Sequence, residues 1–134
     1  MNYLLDTHIA LWLLSGDERL PRKALELCTS DAHQLFLSAV SIWEIVIKHQ
    51  KSPRLMPVSG EEIAALCDLA DIHILPVQRE HVLTVGTLRR SPEEPNHNDP
   101  FDRLLIAQSK SSGLTLLTHD ALLFGYHEPS VLIL

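Results

Sequence analysis

Asp99 and Asp102 stand three positions apart in HNDPFDRLLIAQ, the stretch from His97 to Gln108, directly ahead of an apolar run. Local chemistry offers them a plain role. Asn98 or Asp99 can cap a helix, Pro100 suits its first position, and Asp102 in the first turn faces unpaired N–H groups at the positive helix end. The other role is chemical. Two carboxylates at this spacing can hold a cation or a reacting group, provided that acids from elsewhere in the chain join them.

Three further acids are candidates. Asp6 ends the apolar run NYLLD, Asp120 follows LTLLT, and Glu44 lies in AVSIWEIVIKHQ, where Ser41, Glu44 and Lys48 form a narrow polar stripe on an otherwise apolar helix. Each alone has an ordinary explanation: Asp6 as a cap for the helix after Thr7, Asp120 as a turn residue, Glu44 as an exposed ion pair with Lys48. Their convergence on one side of a sheet would not. Carboxylates crowded together where water is excluded repel strongly, and the remedies are raised pKa values or hard cations. Oxygen ligands with open positions suit Mg²⁺ or Mn²⁺, which also bridge phosphate oxygens. That is equipment for metal-assisted phosphodiester hydrolysis.

The elements that must position these acids follow from the pattern of apolar residues. Asn2–Asp6, Gln34–Ser38, His73–Val77, Leu114–Thr118 and Val131–Leu134 read as strands. Helical spacing marks the segment after Thr7, the one opened by Pro21, Ala39 to about Lys51, a Ser59/Glu62 capping box before IAALCDLA, Arg79–Arg90 with Val82, Val85 and Leu88 on one face, and the helix from Pro100 to Ser111. Asp120 opens a short helical turn. Strands alternating with helices, each strand nearly continuously apolar, predict a single α/β domain over 1–134 with a mainly parallel central sheet of about five strands flanked by helices. Function in such sheets gathers at the carboxyl ends of the strands. The acids fall there.

Composition sets outer limits. In 134 residues with 46% hydrophobic content there is material for one core, and 17 acidic against 11 basic residues give a net charge of −6. That balance argues against a broad basic face for nucleic acid, although the five candidate acids account for most of the excess. Cys28 and Cys67 lack ligand spacing and read as reduced, buried thiols. No signal-like start or long apolar span is evident, so a soluble cytoplasmic protein with no membrane association is expected. The first helix, IALWLL, is apolar nearly all round, and a homodimer would bury the surplus.

LLDTH at the start, SxxSxWEI around Glu44, NDPFDRLLIAQ and LLTHD near the end, in that order and at this total length, resemble the PIN-domain ribonucleases, in particular the VapC-type toxins of bacterial toxin–antitoxin pairs. The resemblance implies Asp6, Glu44 and Asp102 as the catalytic acidic triad, with Asp99 and Asp120 as further acids at the metal site. It also implies Mg²⁺ or Mn²⁺ as cofactor, endonucleolytic RNA cleavage, homodimers, and inhibition by a small antitoxin that covers the cleft.

Two other function classes compete. A phosphoryl-transfer enzyme would use Asp6 as nucleophile, but the second Asp expected two residues on is His8; a non-catalytic, receiver-like module would hold Mg²⁺ without cutting. Arg89, Arg90 and Arg103 are candidates for RNA phosphate contacts, and Arg103 can equally orient a neighbouring acid. His8, His97 and His119 lie close to candidate acids and read as supporting or loop residues, since no paired-His metal spacing exists. Trp12 and Trp43 read as core or dimer contacts rather than base-stacking platforms.

Overall fold

The computed structural model describes residues 1–134. Strands β1 (Asn2–Leu5), β2 (Gln34–Ser38), β3 (His73–Leu75), β4 (Thr115–Thr118) and β5 (Val131–Ile133) form one sheet in the order β3-β2-β1-β4-β5. Every pairing is parallel. Helices α1 (Thr7–Ser15), α2 (Arg22–Thr29), α3 (Ala39–Lys51), α4 (Gly60–Leu69), α5 (Arg79–Val85) and α6 (Pro100–Ser112) connect them, and a 3-10 turn (Ala121–Tyr126) precedes β5. The expected α/β architecture is present, strand for strand.

Burial on both faces explains the continuous apolar strands. Along β1, Tyr3 and Leu5 enter one core with Leu35, Leu37 and Leu117, while Leu4 enters a second core with Leu116. Ile9 of α1, Ala24 of α2 and Ile63 of α4 close the first; Leu105 and Ile106 of α6 and Leu123 of the 3-10 turn close the second. From β1 the chain steps outward to β2 and β3, then crosses back to β4 on the opposite side of β1 and steps outward to β5. Strand order therefore reverses between β1 and β4. A crevice opens at the carboxyl ends of such a pair because its two crossovers leave in opposite directions.

Helix starts follow local rules. The Asp6 side chain accepts from the Thr7 N–H at the head of α1, Ser38 accepts from Val40 at the head of α3, and Ser59 and Glu62 cap α4 reciprocally. At the far end of α6, Gly113 takes a left-handed conformation (φ 68°) that ends the helix and turns the chain into β4.

Several expectations need correction. β3 stops at Leu75 rather than Val77, because Pro76 has no N–H to continue the ladder. α5 stops at Val85 with Gly86 as its cap, rather than reaching Arg90; Val82 is exposed, and the buried side chain is His81, whose ring accepts the Gln78 N–H and meets Ser112 Oγ. Trp43 and Ile47 of α3 are exposed, Trp43 standing edge-on to Phe101 at 5.2 Å between ring centres. Leu11, Trp12, Leu13 and Leu14 of α1 are partly buried within their own chain, so that helix has less surplus apolar surface than its sequence suggests. Both cysteines are unpaired; Cys67 is buried and Cys28 half-buried, and burial pushes each thiol up to about 11. No helix is long and apolar enough to cross a membrane.

Leu117, fully buried on β4 between β1 and β5, tests this arrangement. Leu117→Ala is expected to cost about 2–5 kcal/mol in urea unfolding, with the cavity term adding to lost burial. A loss below about 1 kcal/mol would place the core elsewhere.

Candidate functional site

Asp6 leaves the sheet at the carboxyl end of β1, where its own N–H donates to Leu117 O on β4 at 2.9 Å. Its side chain is 7% exposed, and both oxygens are engaged: Oδ1 accepts from Thr7 N at 2.8 Å and Oδ2 from the Thr118 hydroxyl at 2.7 Å. Thr118 also accepts the Asp120 N–H at 3.0 Å, so one hydroxyl ties the ends of β1 and β4 together. Glu44, 6% exposed, projects from the second turn of α3. Thr7 Oγ1 lies 2.7 Å from Glu44 Oε1 and 2.9 Å from Ser41 Oγ, and Lys48 donates to Glu44 Oε2 at 2.7 Å. The ion pair with Lys48 exists, but its acid is buried rather than exposed.

Asp99 and Asp102 divide the two roles open to them. Asp99 is exposed and caps α6, its Oδ1 accepting from Phe101 N at 2.9 Å and Asp102 N at 3.1 Å. Asp102, one turn in, is half-buried and points back to the crevice, where Oδ2 lies 3.0 Å from His97 Nε2. Asp120 heads the 3-10 turn, accepting from Leu122 N at 2.9 Å. Ligand-type atoms of His97, Asp102 and Asp120 all lie within 4.8 Å of one another. His97 therefore enters the site, in line with the supporting role its place beside Asp99 allowed.

The charges feel one another. Burial pushes the Asp102 carboxyl up to about 8, and Asp6, Asp99, Glu44 and Asp120 add repulsion in that order. Burial also raises Asp6, against the lowering effect of its Thr118 and Thr7 hydrogen bonds. His97 is shifted down, mainly by burial and then by Arg90. Five acids from four segments thus share one electrostatic environment at the switch point of the sheet.

A family model described as the PIN domain matches residues 3–124. The chain belongs to the PIN-domain family. Solved structures with the same fold include VapBC2 from Rickettsia felis bound to a DNA fragment from its promoter, at 20% identity and a TM-score of 0.66 over 100% of this chain and 98% of that one. A toxin–antitoxin complex from Klebsiella pneumoniae follows at 20% identity and 0.60, covering 97% and 95%. VapBC-1 from nontypeable Haemophilus influenzae gives 21% and 0.59, covering 90% and 87%. No curated protein matches the chain in sequence.

Within this PIN domain the three arginines part company. Arg89 is exposed, bonded only to Gly86 O and Leu88 O. Arg103 is half-buried, reaching Val85 O at 3.4 Å. Arg90 is committed inside the protein: Nε donates to Pro95 O and Nη1 to Leu122 O, each at 2.9 Å, while the guanidinium lies 4.7 Å over the Tyr126 ring. A Cβ at Gly125 would fall 2.5 Å from its Nη2, so a larger residue there would have to displace the guanidinium. Arg90 is thus a brace for the 3-10 turn rather than a free phosphate contact. His8 and His119 are exposed beside Trp12. Thr7, Thr118 and Tyr126 escaped the sequence reading. Thr7 and Thr118 were signalled only by adjacency to acids in LLDTH and LLTHD, and Tyr126 by nothing local.

The Asp102 shift has a measurable sign. The folded PIN domain keeps a proton on Asp102 up to about pH 8 that the unfolded chain releases near 3.8. Relative to Asp102→Asn, the parent in EDTA is therefore expected to lose stability as pH rises across that window, by up to about 1.4 kcal/mol per pH unit. Saturating Mg²⁺ should reverse the order, since a cation bound only to the folded state favours the chain with every ligand. Thermal melts of both proteins at about pH 5 and about pH 8.5 check this. Equal destabilisation of Asp102→Asn in every condition would reduce Asp102 to a helix-start residue.

Proposed function

We propose that the chain is a divalent-metal-dependent endoribonuclease and the toxin of a toxin–antitoxin pair. The observation that carries this reading is the meeting of buried Asp6 and Glu44 with half-buried Asp102 at one crevice, Asp102 being raised to about 8 by burial and by four neighbouring acids. The donor set fits a hard cation: carboxylate oxygens from four chain segments, already oriented by protein hydrogen bonds. Asp6, Glu44 and Asp102 would hold Mg²⁺ or Mn²⁺. Asp99 and Asp120 use only Oδ1 as caps and keep Oδ2 for the cation or its waters. When bound, the cation would lower the pKa of an attacking water, neutralise the scissile phosphate and steady the leaving oxygen.

The chain's own groups do the positioning. Thr118 and the Thr7 N–H fix the Asp6 carboxylate, Thr7 and Lys48 fix Glu44, and Arg89 and Arg103 are the arginines still available to RNA phosphates. A locally acidic cleft bridged by a cation explains how a chain of net charge −6 takes a polyanion. Asp6 as a phosphoryl-accepting nucleophile is disfavoured, because the second Asp that such chemistry uses two residues on is His8 here. Three structural neighbours are described as a toxin–antitoxin complex or as VapBC, which supports an antitoxin partner. Work in the cytoplasm and a homodimer belong to the same reading.

Cleavage of a mixed RNA pool is expected with Mg²⁺ or Mn²⁺ and not with EDTA. Asp6→Asn, Glu44→Gln and Asp102→Asn should each reduce the rate by more than the ~10–100-fold typical of losing an outer-shell partner. Undiminished cleavage in excess chelator would refute the proposal. Light scattering at micromolar concentration should return twice the chain mass of 15.1 kDa; a monomer mass would remove the dimer from it.

A further inference from the structure

His97 uses both ring nitrogens within the protein. Nε2 lies 3.0 Å from Asp102 Oδ2, and Nδ1 lies 2.7 Å from the Tyr126 hydroxyl, with the His97 side chain only 5% exposed. The same hydroxyl lies 3.0 Å from the His97 carbonyl oxygen. A carbonyl can only accept, so the single phenolic proton goes to it, and Nδ1 must then carry the proton donated to the Tyr126 oxygen. That fixes the imidazole at one end. Nε2 and Oδ2 are left sharing one proton between them, which makes a directed bond to one oxygen of Asp102 and leaves Oδ1 for the site.

Tyr126 is itself held. It is buried, stands edge-on to His97 at 5.4 Å, and lies beneath Arg90, which is clamped by Pro95 O and Leu122 O. The loop before α6 and the turn after β4 are thereby locked around Asp102, the half-buried member of the acidic group. His97 lies within ligand distance of Asp102 and Asp120, but engaging a cation through Nε2 would break the Asp102 bond, and Nδ1 is committed.

We infer that His97, locked by Tyr126, is a positioning residue for the Asp102 carboxylate and not a ligand of the cation. This rests on the metal-dependent nuclease reading above. Removing an outer partner of this kind weakens metal binding because the carboxylate loses its preset orientation.

The test is Mn²⁺ binding to the full chain, followed by electron paramagnetic resonance, for the parent, His97→Ala, His97→Gln and Tyr126→Phe, with thermal melts confirming folding. His97→Ala should weaken Mn²⁺ binding about 10–100-fold. Tyr126→Phe should weaken it less, and His97→Gln should recover much of the loss because its amide N–H can reach Oδ2. Pulsed spectra of the parent should carry no imidazole nitrogen coupling. A nitrogen coupling that disappears in His97→Ala would make His97 a ligand and overturn the inference, as would unchanged affinity in His97→Ala. Should His97→Ala fail to fold, unchanged affinity in Tyr126→Phe would overturn it equally. A parent that binds no Mn²⁺ would overturn the proposed function, and this inference with it.

Discussion

Three carboxylates reach the carboxyl edge of this sheet from three different directions, and burial penalises the charge of two of them, Asp6 and Asp102. Asp6 comes off the central strand, Glu44 from inside α3 and Asp102 from the first turn of α6. Their mutual repulsion is set by the backbone, since β1 and β4 flank the point where strand order reverses and α3 and α6 pack across it. The rest of the site is arranged around this constraint, through protons, hydroxyl donors and one lysine.

Those supports differ in kind. Lys48 supplies counter-charge to Glu44 from its own helix, whereas Thr7, Ser41 and Thr118 supply hydrogen bonds that orient without changing net charge. Asp102 has neither a cation nor a backbone N–H on its side chain; its one polar partner is His97, with which it shares a proton. Burial, with the four neighbouring acids behind it, therefore drives its carboxyl up to about 8. The least compensated acid is also the one whose neighbours come from the loop and turn on either side of α6 and β4, so its environment depends on packing distant in sequence. In the proposed enzyme a divalent cation completes the compensation, and the same positive charge admits RNA.

Much of this was legible before the fold. The β1, β2 and β4 segments are apolar runs with no alternative use, and capping chemistry marked Asp6, Ser59 and Asp99 as helix starts. The placement of the candidate acids was legible because each stands at a strand end, a helix start or a polar stripe, positions whose geometry sequence periodicity fixes. What was not legible depends on contacts across the chain. Pro76 ended β3 early and Gly86 ended α5 early, local signals outweighed by the longer apolar pattern. Trp43 reads as a core or dimer contact; it is not core, since within the single chain its side of α3 faces solvent beside Phe101. Arg90 reads as a phosphate contact until Tyr126 and Gly125 close around it, and His97 reads as either a supporting or a loop residue until the 3-10 turn brings Tyr126 against it.

The central claim is that the crowding of Asp6, Glu44 and Asp102 exists to hold a divalent cation. Anomalous diffraction from crystals soaked in Mn²⁺ tests it most directly. The account predicts a peak in the crevice between β1 and β4, within about 2.0–2.6 Å of oxygens from those three carboxylates or joined to them through one water. Crystals saturated with Mn²⁺ that show no peak there, with the three acids intact, would contradict it.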